Sequence, residues 1–421
     1  MKTPSPRRPR PPLDRSATRA LLVASLAALA ACGSDDDDDN DADLAGPAGS
    51  GDGDGLAFVA SRAPDFGSGR TDRLAIGEAV VTVDGSYPAT VSDITVATDG
   101  EFVYEIAGFG TDTITKYDPD DTSGAIWQFS VNGDEVESNP YDIAFDGAGR
   151  GFVPRYGSPT LWIVDPSVDA SNEAGFRTGE LDLSAYDEDE PNVSAALVVG
   201  DRLFVLMERL TGFLPFADKP GYVAVFELAG DGTVTEIDTG RGADGLFGIE
   251  LRTVNPTALQ YVEATDTLYV LGRGNFFESA EVPGDPYTGG LEAIDAQTYE
   301  SALAIDDGTA EDNRGFFVDA LVVSPTKGYL IAQAGFLDNA LLAFDPGTGE
   351  LAEAPVAGLD GLELTSLEEA PDGRVWVGLG GDAPGYAILD PLDDSVDAVR
   401  VATELVPIDA AFLPGGTDGE D

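Results

Sequence analysis

Between residues 56 and 414 the chain alternates short apolar runs with polar, glycine-rich breaks, and the runs come in groups. The stretch NPYDIAFDGAGRGFVPRYGSPTLWIVDP, residues 139 to 166, shows the unit most clearly. Tyr141 to Phe145 reads as one strand, DGAGR turns the chain, Gly151 to Arg155 returns, and a loop leads to Leu161 to Asp165. Asp-Pro then closes the unit, because proline fixes φ and aspartate bonds to its own backbone. A fourth strand is expected within Gly179 to Ala185.

Five further units repeat this pattern, beginning at Val91, Val193, Thr257, Val318 and Leu364. Their Asp-Pro or equivalent turns recur every roughly 45 to 70 residues, the period of propeller blades with some long loops. Two fragments remain. Leu56 to Arg62, Leu74 to Ala79 and Val80 to Val83 read as a blade without its first strand, and Val406 to Pro414 as a first strand without its blade. NPYDIAF and VPIDAAF are variants of one segment. Pairing the fragments predicts an all-β, seven-bladed β-propeller over 56–414, closed by the C-terminal strand on the N-terminal blade, with no free sheet edge left between the chain ends.

The N-terminus has a different composition. Lys2, Arg7, Arg8, Arg10, Arg15 and Arg19 precede an apolar run from Ala20 to Ala31, too short to span a bilayer. It ends in Leu29-Ala30-Ala31-Cys32-Gly33, which resembles the lipobox of bacterial lipoproteins. That resemblance implies a signal peptide over 1–31, lipidation of Cys32 and, with Gly33 in place of an inner-membrane retention Asp, anchoring at the outer membrane. A plain signal-peptidase site and a buried thiol are the alternatives. Residues 32 to 55, with five consecutive aspartates, read as an acidic tether, and 415–421 as an acidic tail.

Charge narrows the partners. The chain has 23 basic and 77 acidic residues and a net charge of −54, which becomes −59 once 1–31 is removed. Such a surface repels phosphate backbones, so no nucleic acid is expected. Solubility in salty surroundings is one reading of the charge, and recruitment of cations or a basic partner is the other. A monomer is expected, and its partner could be a protein or a small molecule.

The repeats resemble the YVTN, YncE-type and gluconolactonase-like β-propeller superfamily, through Tyr-Val-Leu, a loop and hydrophobic-Asp-Pro. The resemblance implies the fold far more than an activity. A quinoprotein repeat would follow Asp-x-x-Thr-Gly with a close Trp; Asp345 to Gly349 has only the first half. The Glu-Gly-Pro motif of gluconolactonase-like enzymes is absent, although Asn139 and Asn255 precede prolines where such propellers place inner ligands. The chain has no histidine, which excludes Ser-His-Asp triads, Cys-His pairs and histidine-bound metals.

Candidate chemistry concentrates where first strands start and second strands end, which an antiparallel meander brings to one face. Asp93, Asp142, Asp319 and Asp409 occupy the starts, and Arg62, Arg155, Arg209 and Arg273 the ends. Two readings are open: Arg-Asp pairs tying neighbouring blades, or a channel mouth that binds an anionic or polyol ligand. Two loops on the same face carry Phe213, Phe216, Phe276, Phe277 and Tyr287. No catalytic residue is singled out and no cofactor is required. A metal-dependent lactonase-like or lyase-like enzyme is the alternative, with Asn139, Asp142 and Asp319 as oxygen ligands for a divalent ion such as Ca²⁺.

Overall fold

A computed structural model describes residues 55–76, 83–133, 137–188, 190–211, 219–275, 287–309, 311–335 and 338–414. Cys32, the tether, the acidic tail and Phe213, Phe216, Phe276 and Phe277 lie outside these residues. Seven antiparallel sheets form a seven-bladed β-propeller. Blade 1 runs through Ile94–Thr98, Val103–Ala107, Thr113–Asp118 and Asp121–Ser130. Blade 2 uses Ala144–Phe145, Gly151–Val153, Thr160–Val164 and Arg177–Asp182, with a one-turn helix at Glu173–Phe176 before its outer strand. Blades 3 to 6 start at Val193, Pro256, Phe316 and Leu364. Blade 7 closes the ring: Val406–Pro414 is its inner strand and pairs antiparallel with Gly55–Arg62, followed by Gly69–Ile76 and Gly85–Ser86.

Turn chemistry accounts for many of the acidic residues. Asp118, Asp165, Asp345 and Asp390 each accept a hydrogen bond from the backbone N–H two residues on, at 2.8 or 2.9 Å. The carboxylate replaces a missing backbone partner, and proline at the next position cannot continue the strand.

The core lies between blades as well as within them. Tyr104, Trp127 and Phe129 meet Val153, Trp162 and Phe176 across the seam of blades 1 and 2. Trp376 and Tyr386 of blade 6 pack against Phe412 of blade 7, the Trp376 and Phe412 rings meeting edge to face at 5.4 Å. Each fully buried aromatic of this kind contributes about 2–3 kcal/mol.

Blade 7 departs from the sequence expectation. Its third strand begins at Gly69, five residues before the expected Leu74, and its fourth is Gly85–Ser86, whereas most of the expected Val80 to Val83 strand lies outside the described residues. The polar GRTDR segment extends because its side chains find buried partners. Thr71 donates to Glu105 of blade 1 at 2.8 Å, and Asp72 accepts from Ser86 at 2.6 Å and pairs with Arg70. A hydrophobicity pattern cannot register such a strand.

Candidate functional site

Three asparagines with left-handed backbones fix the geometry of the channel mouth. Asn139, Asn192 and Asn255 have φ of 48°, 56° and 55°; Asn192 and Asn255 immediately precede the first strands of blades 3 and 4, and Asn139 immediately precedes the Pro140–Arg155 bridge that leads into the first strand of blade 2. Asparagine tolerates this region because its short side chain can bond locally. Their carbonyls accept the N–H of Tyr156, Glu208 and Arg273, respectively. In blade 1 Asp93 accepts from Gly108 in the same way, and in blade 6 Glu363 accepts from Gly380. The residues facing one another at this level are therefore Gly108, Tyr156, Glu208, Arg273 and Gly380.

This register separates the four arginines. Arg155 pairs with Pro140 one residue short of the mouth position, and Arg209 follows one residue beyond it. A one-residue step turns a side chain to the opposite face. Arg155 is buried and ties blade 2 to the end of blade 1, donating to the carbonyls of Val131 and Asn132 and to Ser158 and Thr160, with its guanidinium 4.5 Å from the Trp162 ring centre. Arg209 lies over Tyr222 and donates to the Tyr186 and Pro220 carbonyls. Arg273 and Arg62 remain at the mouth. Arg273 donates to the Val318 carbonyl at 2.9 Å, and Arg62 sits 4.6 Å from the Phe66 ring centre. Burial lowers the Arg62 guanidinium from its usual value, and the nearby Glu363 and Asp93 oppose that while Arg273 adds to it.

Around these two cations the mouth is aromatic and acidic. Tyr141 and Tyr156 stack with centres 4.7 Å apart, and the Tyr156 hydroxyl donates to Glu208 at 2.9 Å. Glu208 is 4% exposed, and burial pushes its carboxyl up to about 7, against the pull of Tyr156 and Arg273. Asp93 is exposed and accepts from Phe109 N–H at 2.8 Å. Gly108 permits this approach, since a Cβ there would lie 2.6 Å from Asp93 Oδ2 and 2.8 Å from Asn139 Oδ1. Tyr287 stacks on Phe316.

Asp142, Asp319 and Asp409 do a different job from flanking the arginines. Each accepts the N–H of an inner-strand residue in the next blade: Ala196 at 3.3 Å, Leu367 at 2.8 Å and Val96 at 2.8 Å. Thr95, Ser194 and Thr365 donate to the carbonyls of Tyr141, Pro256 and Pro407 across three more seams, and Gln260 bonds both backbone groups of Val322 across the last. All seven seams thus carry a side-chain stitch between inner strands. Side chains do tie neighbouring blades, but across the seams these aspartates and Arg155 and Arg273 bond backbone groups rather than one another. Among the described residues no three His, Cys, Asp or Glu side chains are placed to hold a metal ion. A separate polar groove of about 530 Å³, between blades 3 and 4 and lined by Asp201, Arg202 and Asp266 among others, includes none of the mouth or seam-stitching residues.

Glu208, Tyr156, Glu363 and Tyr141 escaped the sequence reading. Aligning blades on Asn139, Asn192 and Asn255 would have found the first two, because these asparagines set the register that the arginines obscure.

Fold and site together define a seven-bladed β-propeller with a mixed-charge, tyrosine-lined channel mouth. No family model and no curated protein matches the sequence. Among solved structures, the chain is similar to a putative 6-phosphogluconolactonase from Bacteroides fragilis, with a TM-score of 0.58, 12% identity, and coverage of 86% of this chain and 98% of that one. A second, from Bacteroides uniformis, gives 0.57 at 12% identity over 85% and 99%. A protein from Lactobacillus plantarum gives 0.57 at 14% identity over 86% and 99%. At these identities the likeness is one of fold alone.

Proposed function

We propose that the propeller is a binding module whose channel mouth takes a polyhydroxylated ligand bearing an acid group, the chemistry of a sugar acid. The observation that supports this most directly is the Tyr141-Tyr156 stack anchored on Glu208 beside Arg273 and Arg62. A stacked aromatic pair offers a flat surface to the C–H face of a sugar, arginine donates in a fork to a carboxylate, and Asp93 and Glu363 accept from hydroxyls. Calorimetric titration with gluconate and with the neutral polyol sorbitol tests it. Arg273→Ala should weaken gluconate about tenfold, as loss of a charge-assisted bond does, while leaving sorbitol nearly unchanged; Tyr141→Ala should weaken both. Equal affinities in wild type and both variants would remove the mouth as the site.

One observation favours a second reading, lactone opening at the same mouth: Glu208 is buried and holds its proton near neutrality, as a general acid or base does. Assaying gluconolactone turnover in the same preparations separates the two, since only the enzyme loses turnover in Glu208→Gln while retaining ligand.

We further propose that the protein is displayed at the outer membrane through lipid on Cys32. The leader and its lipobox-like ending support this. Metabolic labelling with an alkyne fatty acid should mark the wild type and not Cys32→Ala; equal labelling would end the proposal.

A further inference from the structure

The stitches that close the seams are chemically unequal. At the seam of blades 4 and 5 the stitch is neutral: Gln260 accepts from Val322 N–H at 2.9 Å and donates to the Val322 carbonyl at 2.8 Å. At three other seams the accepting side chain is an aspartate. A neutral amide therefore suffices to hold such a seam, and the carboxyls of Asp142, Asp319 and Asp409 add something that stitching alone does not require.

They also face one another. Asp409 feels the charges of Asp142 and Asp319 across the channel, and Glu368 of blade 6 feels Asp409 and Asp319. Arg273 is the cation that bears on this group, through Asp319, and Tyr386 lies beside Glu368 and Asp409. These groups meet solvent only inside the channel, where protein surrounds them, so partial exposure coexists with strong desolvation. Burial raises Asp142 and Asp319 to about 6 and Asp409 to about 7, and Glu368 goes up with them, first by burial and then by its carboxylate neighbours.

We propose that Asp142, Asp319, Asp409 and Glu368 form a proton-responsive ring that tightens the propeller when protonated and loosens its inner seams when ionised. The sign follows from linkage. The folded ring holds protons more tightly than the unfolded chain, whose carboxyls titrate near 4. Its stabilisation is complete below that value and is lost as pH rises to about 7. Ionisation places like charges across a narrow channel, and each then pulls against its own stitch.

Thermal melts of the full chain at pH 5.5 and pH 8, at constant ionic strength, test the ring. Surface carboxylates are already ionised over this range, and Glu208, raised to about 7 outside the ring, contributes the same slope to wild type and variants, so the difference between them reports the ring. Asp142→Asn with Asp319→Asn and Asp409→Asn removes the charge and keeps one accepting oxygen for the neighbouring blade, while its amide NH2 replaces the oxygen that accepts from Ile143 in Asp142 and from Ala320 in Asp319. It should flatten the difference between the two pH values by more than half. Gln260→Glu should do the reverse, because only a protonated glutamic acid can both accept from and donate to Val322. Its Tm should match the wild type at pH 5.5 and fall by about 2 °C or more at pH 8. An unchanged pH slope in both variants would overturn the proposal. Should the triple variant not fold, Asp409→Asn alone decides, since Asp409 bears on all three of the other carboxyls.

Discussion

Arg155 and Arg273 show how much one residue of register matters. Both are arginines at the end of a second strand, and a sequence treats them alike. Arg155 is enclosed by two carbonyls, two hydroxyls and an indole, so Arg155→Ala leaves buried acceptors unpaired. Denaturant unfolding should show a loss of about 2–4 kcal/mol, with ligand affinity unchanged in the protein that remains folded. Arg273→Ala should show the opposite division, with stability nearly retained and gluconate binding weakened about tenfold. Four arginines, four aspartates and their common face were legible in the chain. Their division into mouth and seam was not, because it depends on whether a side chain falls at the position set by a left-handed asparagine or one residue away. Apolar periodicity carries no such information: Asn139, Asn192 and Asn255 look like ordinary loop residues until their backbone angles are known.

At the scale of elements, strands built on apolar alternation were legible, and strands built on paired polar residues were not. Val103–Ala107, Tyr222–Leu228 and Val375–Leu379 are almost wholly buried, and their hydrophobic residues announce it. Gly69–Ile76 depends on Thr71, whose partner Glu105 lies in another blade, and on Asp72, whose partner Ser86 lies on the next strand of its own blade, and neither pairing shows in apolar periodicity. Its dependence is testable. Glu105→Leu removes the acceptor of Thr71 and should destabilise the blade 7 to blade 1 seam by about 1–3 kcal/mol. Hydrogen exchange should then quicken in Gly69–Ile76 before it does in Val375–Leu379. Uniform protection across both strands would mean that the polar seam carries no special share of the closure.

For the whole molecule, the decisive element is the last one. Val406–Pro414 pairs along its length with Gly55–Arg62 and supplies the inner strand that blade 7 lacks. Removing 406–414 exposes the inner edge of Gly55–Arg62 and the apolar faces of blades 6 and 1, so the truncated chain should lose its cooperative melting transition and aggregate. The closure was legible because both halves of the blade carry recognisable fragments of one repeat. The pH response was not, because it arises from carboxyls more than forty residues apart in sequence that meet only around a closed channel.

Gly55 pairs with Pro414, and Arg62 with Val406. The mouth lies at the Arg62 end of this strand pair, so the polypeptide preceding Gly55 enters the ring from the far side. The attachment of the leading segment and the mouth therefore occupy opposite faces of the ring, so a soluble ligand approaching the tyrosines and arginines meets neither the chain that precedes Gly55 nor anything that chain carries beside it.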